Sequence, residues 1–184
     1  MEKILKHYFK NIDQVSVNPI NSGWINSTYE VEYEGKKYIL QKINTHVFPQ
    51  PEVISNNIDI ISNHLKAKNY QNSVIEIVKD LQGNLLVKED GEVWRMTSFI
   101  PNSICFEKVE SAEQAYEAAK TISEFHSYLT DVNVDEIHPS IVGFLDYQKR
   151  INDFKNALNK ASVERLEETK EEVGYILDNL YQIE

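Results

Sequence analysis

A β-hairpin is encoded by the stretch TYEVEYEGKKYILQKI, residues 28–43. Within residues 29–34, tyrosine or valine alternates with glutamate at every position, which is the period-two pattern of a strand with one buried face. Gly35 then supplies a turn, and a second apolar-rich run follows at 37–43. We therefore expect two antiparallel strands here, and we expect the rest of the N-terminal region to be organised around them.

Further strands and one helix are predicted on either side of this hairpin. Pro51 and Glu52 suit the start of a helix, and the isoleucines that follow recur at helical spacing as far as Leu65. Strand-like patterns return after this helix and continue as far as Pro101. The predicted elements are a helix at 2–13, strands at 15–20, 28–34 and 37–43, a helix at 51–68, and strands at 74–79 and 85–88, while a further strand at 92–100 is left open.

The second part of the chain has a different pattern. After about residue 110 the apolar residues recur every three or four positions, which predicts helices at 111–129, 144–160 and 162–183, with Ser111 as the first N-cap. Charge also changes: the net charge is about −1 over 1–104 and about −9 over 105–184, within a total of −10. We therefore expect an α+β region, 1–104, followed by a helical region, 105–184.

Composition excludes several classes of function. A net charge of −10 disfavours a nucleic-acid partner held through its phosphates. No apolar run is long enough to cross a membrane, and the mixed N-terminus is unlike a signal peptide. The single cysteine, Cys105, rules out a disulfide within the chain and is expected to be a small buried residue. The lack of a disulfide within the chain fits a reducing environment, so we expect a cytoplasmic protein. The five histidines lack metal-ligand spacing, so we expect no zinc site.

A sheet of five strands with one helix inserted after the third strand is the plan of the kinase small lobe. In that plan, a loop between the first two strands covers the nucleotide phosphates. The corresponding loop here, residues 21–28, has no Gly-rich signature, but its hydroxyl, amide and backbone N–H groups can bind phosphate. An ordinary hairpin loop explains the same residues equally well.

Four segments carry a resemblance to a known family. They are GWINSTY at 23–29, YILQKIN at 38–44, HVF at 46–48 and SFIPNS at 98–103. Together they resemble the small lobe of aminoglycoside-phosphotransferase-like kinases, with the N-acetylhexosamine 1-kinases as the most similar subgroup. The last segment is also similar to the hinge of choline kinases. The resemblance covers nearly all of the chain.

The resemblance implies a protein-kinase-like small lobe, a five-stranded antiparallel sheet plus one helix, followed by the helical start of a large lobe. It implies the N-terminal part of an ATP- and Mg²⁺-dependent kinase that phosphorylates a sugar, such as an N-acetylhexosamine at its anomeric hydroxyl. The residues expected to contact the nucleotide are Gly23, Asn26, Ser27, Thr28, Gln41, Asn57, Ser98, Phe99 and Ile100.

The strand-three position departs from the family pattern. Such kinases usually carry Lys or Arg where Gln41 stands, and strand alternation places Lys42 on the opposite face. An amide pair between Gln41 and Asn57 would replace the usual Lys–Glu ion pair. The alternative is that Asn57 is an amide at the edge of the core. Which of Gln41 and Lys42 faces the phosphates stays open at this point.

The catalytic motifs of the family find no match. His138-Pro139-Ser140 lacks the Asp of a His-x-Asp loop, and no segment resembles the strand that carries the magnesium-binding Asp. We therefore expect no catalytic residue and no metal ligand in this chain, and no activity from it alone, whether it is a fragment or a natural truncation. The alternative function is a non-catalytic, kinase-derived nucleotide-binding or interaction module.

The C-terminal helices suggest a further expectation. Each carries an apolar stripe that would pack on the catalytic strands of a complete kinase. We expect these stripes to form a homodimer, with contacts at Phe154, Leu158, Val173 and Leu180. The alternative is that the helices pair with each other in a monomer.

Overall fold

The computed structural model describes residues 1–21, 23–104 and 106–182, which fall into two compact units, Met1–Ser140 and Ile141–Glu184. Three predictions lie outside the described residues: Ser22 in the loop, Cys105 as a buried residue and Ile183 on the last helix. No helix within these described ranges combines the length and apolar content that a membrane crossing requires.

The first unit contains a six-stranded sheet and three α-helices in its described residues. Its elements are α1 (Glu2–Tyr8), β1 (Ser16–Ile20), β2 (Ser27–Tyr33), β3 (Lys36–Ile43), α2 (Pro51–Ala67), β4 (Ile77–Val78), β5 (Val87–Glu89), β6 (Glu92–Ser98) and α3 (Ala112–Tyr128). The second unit contains α4 (Tyr147–Lys160), α5 (Val163–Glu168) and α6 (Lys170–Asn179). The α+β class and the inserted helix are thus confirmed.

All strand pairs in the sheet are antiparallel, and the order is β1-β2-β3-β6-β4, with β5 also paired to β6. The antiparallel sheet is confirmed, with six strands rather than the five of the kinase plan. Strands β4 and β5 are short and share one edge of β6: β5 pairs near its start and β4 near its end. Since each of them covers only part of that edge, β4 and β5 together occupy the position of a single longer strand.

Two hairpin turns set the register of the sheet. Glu34 and Gly35 have φ values of 50° and 73°, and Asp90 and Gly91 have values of 50° and 78°. Positive φ at both central residues is the conformation of a type I′ turn, whose twist matches that of the flanking strands. The predicted turn at Gly35 is confirmed, and it makes Tyr33 the partner of Lys36.

One face of the sheet is covered by the N-terminal helix. Leu40 and Met96, which are direct partners on β3 and β6, are fully buried in a cluster with Ile4 and Leu5 of α1. Since side chains alternate along a strand, the residues next to Leu40 on β3 and next to Met96 on β6 point to the other face. Helix α2 lies against part of that second face, because its Glu52 pairs with Lys88, and Lys88 points away from the side of β5 on which Val87 joins the α1 cluster.

The buried stripe of α2 is rotated from the predicted one. The sequence suggested Ile54, Ile58, Ile61 and Leu65. Leu65 is buried as predicted, but the other residues that become buried are Pro51, Ser55 and Ser62. The isoleucines at 58 and 61 instead line an apolar groove of about 500 Å³ together with Ile122 and Phe125 of α3. The helix therefore serves two neighbours, the sheet and α3, and its most apolar side faces α3.

Helix α3 is attached to the end of α2 by aromatic and polar contacts. The Tyr70 ring lies 5.0 Å from that of Tyr128 and 6.3 Å from that of Phe125, edge-on in both cases. His64 Nε2 lies 3.0 Å from the Tyr128 carbonyl oxygen, and Lys68 pairs with Asp131. These contacts make α3 part of the first unit. The predicted boundaries of α3 and its Ser111 cap are confirmed.

Three other helices differ from their predicted limits. Helix α1 ends at Tyr8 because Phe9 is extended, with φ −127° and ψ 134°. Helix α4 begins at Tyr147 because the Asp146 carboxylate caps the N–H of Lys149. The predicted helix at 162–183 is split at Thr169, whose hydroxyl donates to the Arg165 carbonyl oxygen. Such local side-chain hydrogen bonds compete with regular helix geometry.

Candidate nucleotide site

The loop between β1 and β2 is held to the sheet by one of its own side chains. Asn26 Oδ1 accepts a hydrogen bond of 2.9 Å from the backbone N–H of Asn44, just after β3. A Cβ added at Gly23 would lie 3.7 Å from Thr28 Oγ1, so the loop backbone passes close to that hydroxyl. Trp24 is 99% exposed and Ser27 is exposed. The loop therefore leans over Thr28 and borders a concavity of about 340 Å³.

A row of polar side chains crosses three neighbouring strands under this loop. Thr28, Gln41 and Arg95 are direct cross-strand partners, so they share one face of the sheet. Gln41 Nε2 donates to Thr28 Oγ1 at 3.2 Å, and Gln41 Oε1 accepts from Arg95 Nε at 3.1 Å and from Arg95 Nη2 at 2.9 Å. The amide of Gln41 is thus fully oriented by its two neighbours.

Arg95 is partly buried and has no carboxylate within ion-pair distance among the described residues. Helix α2 contains two acidic residues, but Asp59 pairs with Lys79 at 3.4 Å and Glu52 pairs with Lys88 at 2.6 Å. Burial lowers the pKa of the Arg95 guanidinium, although a guanidinium starts so high that it stays charged. The row therefore carries one uncompensated positive charge.

Lys42 lies on the other face of β3. It pairs with Trp94, whose side chain belongs to the α1 cluster, and its ammonium lies 3.4 Å from Glu92 Oε1. Gln41 thus shares the face of its partners Thr28 and Arg95, whereas Lys42 shares the opposite face with its other partner, Ser27.

The expected amide pair between Gln41 and Asn57 does not form. Asn57 Nδ2 donates to the His138 carbonyl oxygen at 2.7 Å, and Asn57 Oδ1 accepts from the His138 N–H at 3.2 Å. Both polar ends of Asn57 are therefore engaged with a backbone segment after α3. The rotation of the buried stripe of α2 explains this, since it turns Asn57 away from the sheet and presents Ser55 instead.

The segment after β6 has some of its backbone groups engaged. The Ser98 N–H donates to the Glu76 carbonyl oxygen at 2.8 Å, and Ser98 Oγ accepts from the Glu76 N–H at 3.0 Å. The Ile100 carbonyl oxygen accepts from Ser103 Oγ at 2.8 Å. The ring of Phe99 lies 5.5 Å from Lys37 Nζ. The Ile100 N–H, which lies beyond the end of β6, has no partner among the described residues.

Arg95 is the residue of this site that the sequence interpretation missed. The available signal was its position as the one basic residue in the strand-like run 92–100, where Trp94 and Met96 flank it with apolar side chains. Alternation places it on the face opposite these two. Its contact with Gln41 could not be inferred without the pairing of β3 and β6.

The described residues hold no group of three or more His, Cys, Asp or Glu side chains that could bind a metal ion. His138, the histidine nearest to the expected catalytic motif, is engaged through its backbone with Asn57. The residues present therefore do not fit a Mg²⁺ site, and no chemical step through a metal is derived from them.

Comparison with known proteins gives the fold and the family. A spectinomycin phosphotransferase solved with ADP and spectinomycin matches with a TM-score of 0.58 and 14% identity, over 98% of this chain and 55% of that one. An amicoumacin kinase solved with AMP-PNP and Ca²⁺ matches with a TM-score of 0.55 and 15% identity, over 88% and 54%. This chain thus spans about half the length of either. The model of the phosphotransferase enzyme family matches residues 16–182, and the chain belongs to that family.

Proposed function

We propose that this chain forms the nucleotide-binding part of an ATP-dependent kinase that phosphorylates a small molecule. The observation that carries the proposal is the polar row Thr28–Gln41–Arg95, which lies under the loop 23–28 on one face of a kinase-like sheet. Hydroxyl, amide and guanidinium donors arranged under a loop of this kind favour a phosphate-bearing ligand. The family match and the nucleotides bound to both solved relatives support the same assignment.

The segment 98–100 is proposed to bind the adenine base. The Ser98 carbonyl oxygen can accept a hydrogen bond, and the Ile100 N–H can donate one. Groups two residues apart in an extended chain point to the same side, so this acceptor and donor suit the amino group and ring nitrogen of adenine. Pro101 has no N–H to offer, so the donor comes from before it. Phe99 is proposed to contribute its backbone rather than its ring, which lies beside Lys37.

The loop residues are proposed to contact the phosphates. Ser27 is proposed to act through its backbone, because its side chain shares the face of Lys42, while Gly23 allows the backbone to approach closely. Asn26 and Asn57 are proposed to act indirectly, because their side chains hold the backbone of Asn44 and His138. The acceptor is proposed to be a sugar, such as an N-acetylhexosamine at its anomeric hydroxyl, and the enzyme to be cytoplasmic and Mg²⁺-dependent.

Nucleotide binding and transfer can be tested separately. In the protein translated from its complete reading frame, isothermal calorimetry should detect ATP and ADP, with GTP at least about tenfold weaker because its base reverses the donor–acceptor pattern. Phosphorus NMR should then detect sugar 1-phosphate with N-acetylglucosamine or N-acetylgalactosamine, and none with residues 1–184 alone. Base and metal positioning make up most of the rate enhancement in phosphoryl transfer.

Failure of ATP to bind the complete protein would contradict the nucleotide site itself. Turnover by residues 1–184, abolished by substitutions within that range, would contradict their proposed inactivity. ATP binding by the complete protein without transfer to any hydroxyl acceptor would favour the second candidate, a non-catalytic nucleotide-binding or interaction module. The lack of a metal-binding cluster among the described residues is the observation that keeps this second candidate.

Self-association through the C-terminal helices is a further proposal. Phe154, Leu158, Val173 and Leu180 are each half-buried within the second unit. Tyr175 on α6 and Tyr181, just after the end of α6, are 72% and 74% exposed. Their rings therefore leave aromatic surface available to a second copy. Light scattering of the chain at tens of micromolar should show twice the monomer mass, and a monomer at that concentration would contradict this proposal.

A further inference from the structure

Arg95 is unusual because it is a cation on the inner part of a sheet without an acidic partner. A charge removed from water is costly unless an opposite charge or several hydrogen bonds compensate for it. Gln41 Oε1 satisfies Nε and one N–H of Nη2, and the other Nη2 proton and both Nη1 protons have no recorded acceptor among the described residues. The site thus retains both a positive charge and free donors.

The acidic residues of α2 and the start of β6 form ion pairs with lysines rather than with Arg95. Both acidic residues of α2 are engaged by lysines: Asp59 by Lys79, and Glu52 by Lys88. Glu92, three residues before Arg95, lies on the other side of β6 and pairs with Lys42. These carboxylates are therefore paired with lysines, and the Arg95 guanidinium can bind an anionic ligand.

The surroundings indicate which anion it is. Gln41 connects Arg95 to Thr28, and the loop backbone at Gly23 passes over the Thr28 hydroxyl. We propose that Arg95, held in place by Gln41, is the cation that binds the phosphates of the nucleotide in this protein. The uncompensated positive charge on this face comes from β6 rather than β3, because Lys37 of β3 pairs with Glu30. The neutral Gln41 serves as the positioning residue of Arg95. This inference rests on the proposed function and adds the residue that recognises the phosphates.

The guanidinium geometry has a consequence for which ligands bind. Its planar donors suit two oxygens of one phosphate, so it should distinguish nucleotides from nucleosides. Gln41 has an equally specific role, because its amide oxygen holds Nε and Nη2 together and so orients the remaining donors outward. A carboxylate at position 41 would instead form an ion pair with Arg95 and compete with phosphate for the same charge.

Three variants of the protein from its complete reading frame test the inference by calorimetry with ATP, ADP and adenosine. Arg95→Met, which keeps the apolar stem, should weaken ATP and ADP by about 10- to 100-fold and leave adenosine unchanged. Gln41→Glu should keep or raise the melting temperature, since it adds a counter-ion, and should weaken ATP and ADP by a similar factor. Lys42→Met, on the opposite face of β3, is the matched control and should change neither affinity.

The outcomes separate this inference from the proposed function. If the unmodified protein binds neither ATP nor adenosine, both fail. If it binds ATP and both Arg95→Met and Gln41→Glu bind ATP equally well, only the inference fails. Equal losses for ATP and adenosine in Arg95→Met would make Arg95 a structural residue and overturn the inference, as would a loss of ATP binding in Lys42→Met alone. If Arg95→Met does not fold, Gln41→Glu decides, because it retains Arg95 and neutralises it.

Discussion

Replacing Leu40 with alanine should lower the free energy of unfolding of the first unit by about 2–5 kcal/mol. Leu40 is fully buried at the centre of the cluster that joins β3 and β6 to α1, and its direct partner Met96 is also fully buried. Truncation removes apolar burial and leaves a cavity that paired strands on both sides cannot close. The cost should therefore lie toward the upper end of that range.

Urea denaturation followed by Trp94 fluorescence measures this effect, because Trp94 belongs to the same cluster. Trp24, the second of the two tryptophans, is fully exposed and is replaced by phenylalanine in all samples. Leu81→Ala is the matched control: Leu81 is 49% exposed, so the same change should cost much less. Equal losses in the two variants would contradict the position of Leu40 in the core.

Replacing Phe9 with alanine should destabilise the first unit by about 3–5 kcal/mol. Phe9 is 7% exposed, and its ring lies 4.6 Å from that of Tyr33 and 5.7 Å from that of Tyr38. It therefore fixes the end of α1 to β2 and β3, close to the turn that joins them. Loss of these contacts should release α1 from the sheet as well as lower overall stability.

Denaturation, together with hydrogen exchange of the amides of α1, measures both parts of this prediction. Phe106→Ala is the control, since Phe106 is 57% exposed and should cost less than about 1 kcal/mol. ATP affinity of folded Phe9→Ala should be unchanged, because Phe9 packs on the face of the sheet opposite Gln41 and Arg95. A selective loss of ATP binding without a loss of stability would contradict this division between the two faces.

Much of the fold was predictable because it follows from local patterns. The alternation in residues 29–34 and the turn at Gly35 specify a hairpin without reference to any distant residue, and type I′ geometry is observed there. The N-cap at Ser111 is equally local, since its hydroxyl accepts from Gln114 three residues later. The split at Thr169 was missed, because a single side-chain hydrogen bond within one turn outweighs the apolar periodicity of that segment.

The candidate site was predicted only in part. The family resemblance indicated the loop, Gln41 and the segment 98–100, and alternation alone allowed only one of Gln41 and Lys42 to face a ligand. Neither the resemblance nor the alternation predicted Arg95 as the partner of Gln41. The Asn57 pairing was wrong because the choice between neighbouring helix positions depends on how α2 is rotated against both the sheet and α3.

The sequence by itself determined the type of each main element, the antiparallel hairpins and the face on which each strand residue lies, because these depend on periodicities of two and 3.6 residues. Only the tertiary structure decided which side chains meet. Gln41 and Arg95 are 54 residues apart, and Asn57 and His138 are 81 apart. Their contacts require strand order, register and helix rotation, which are set by the packing of the whole unit rather than by any one segment.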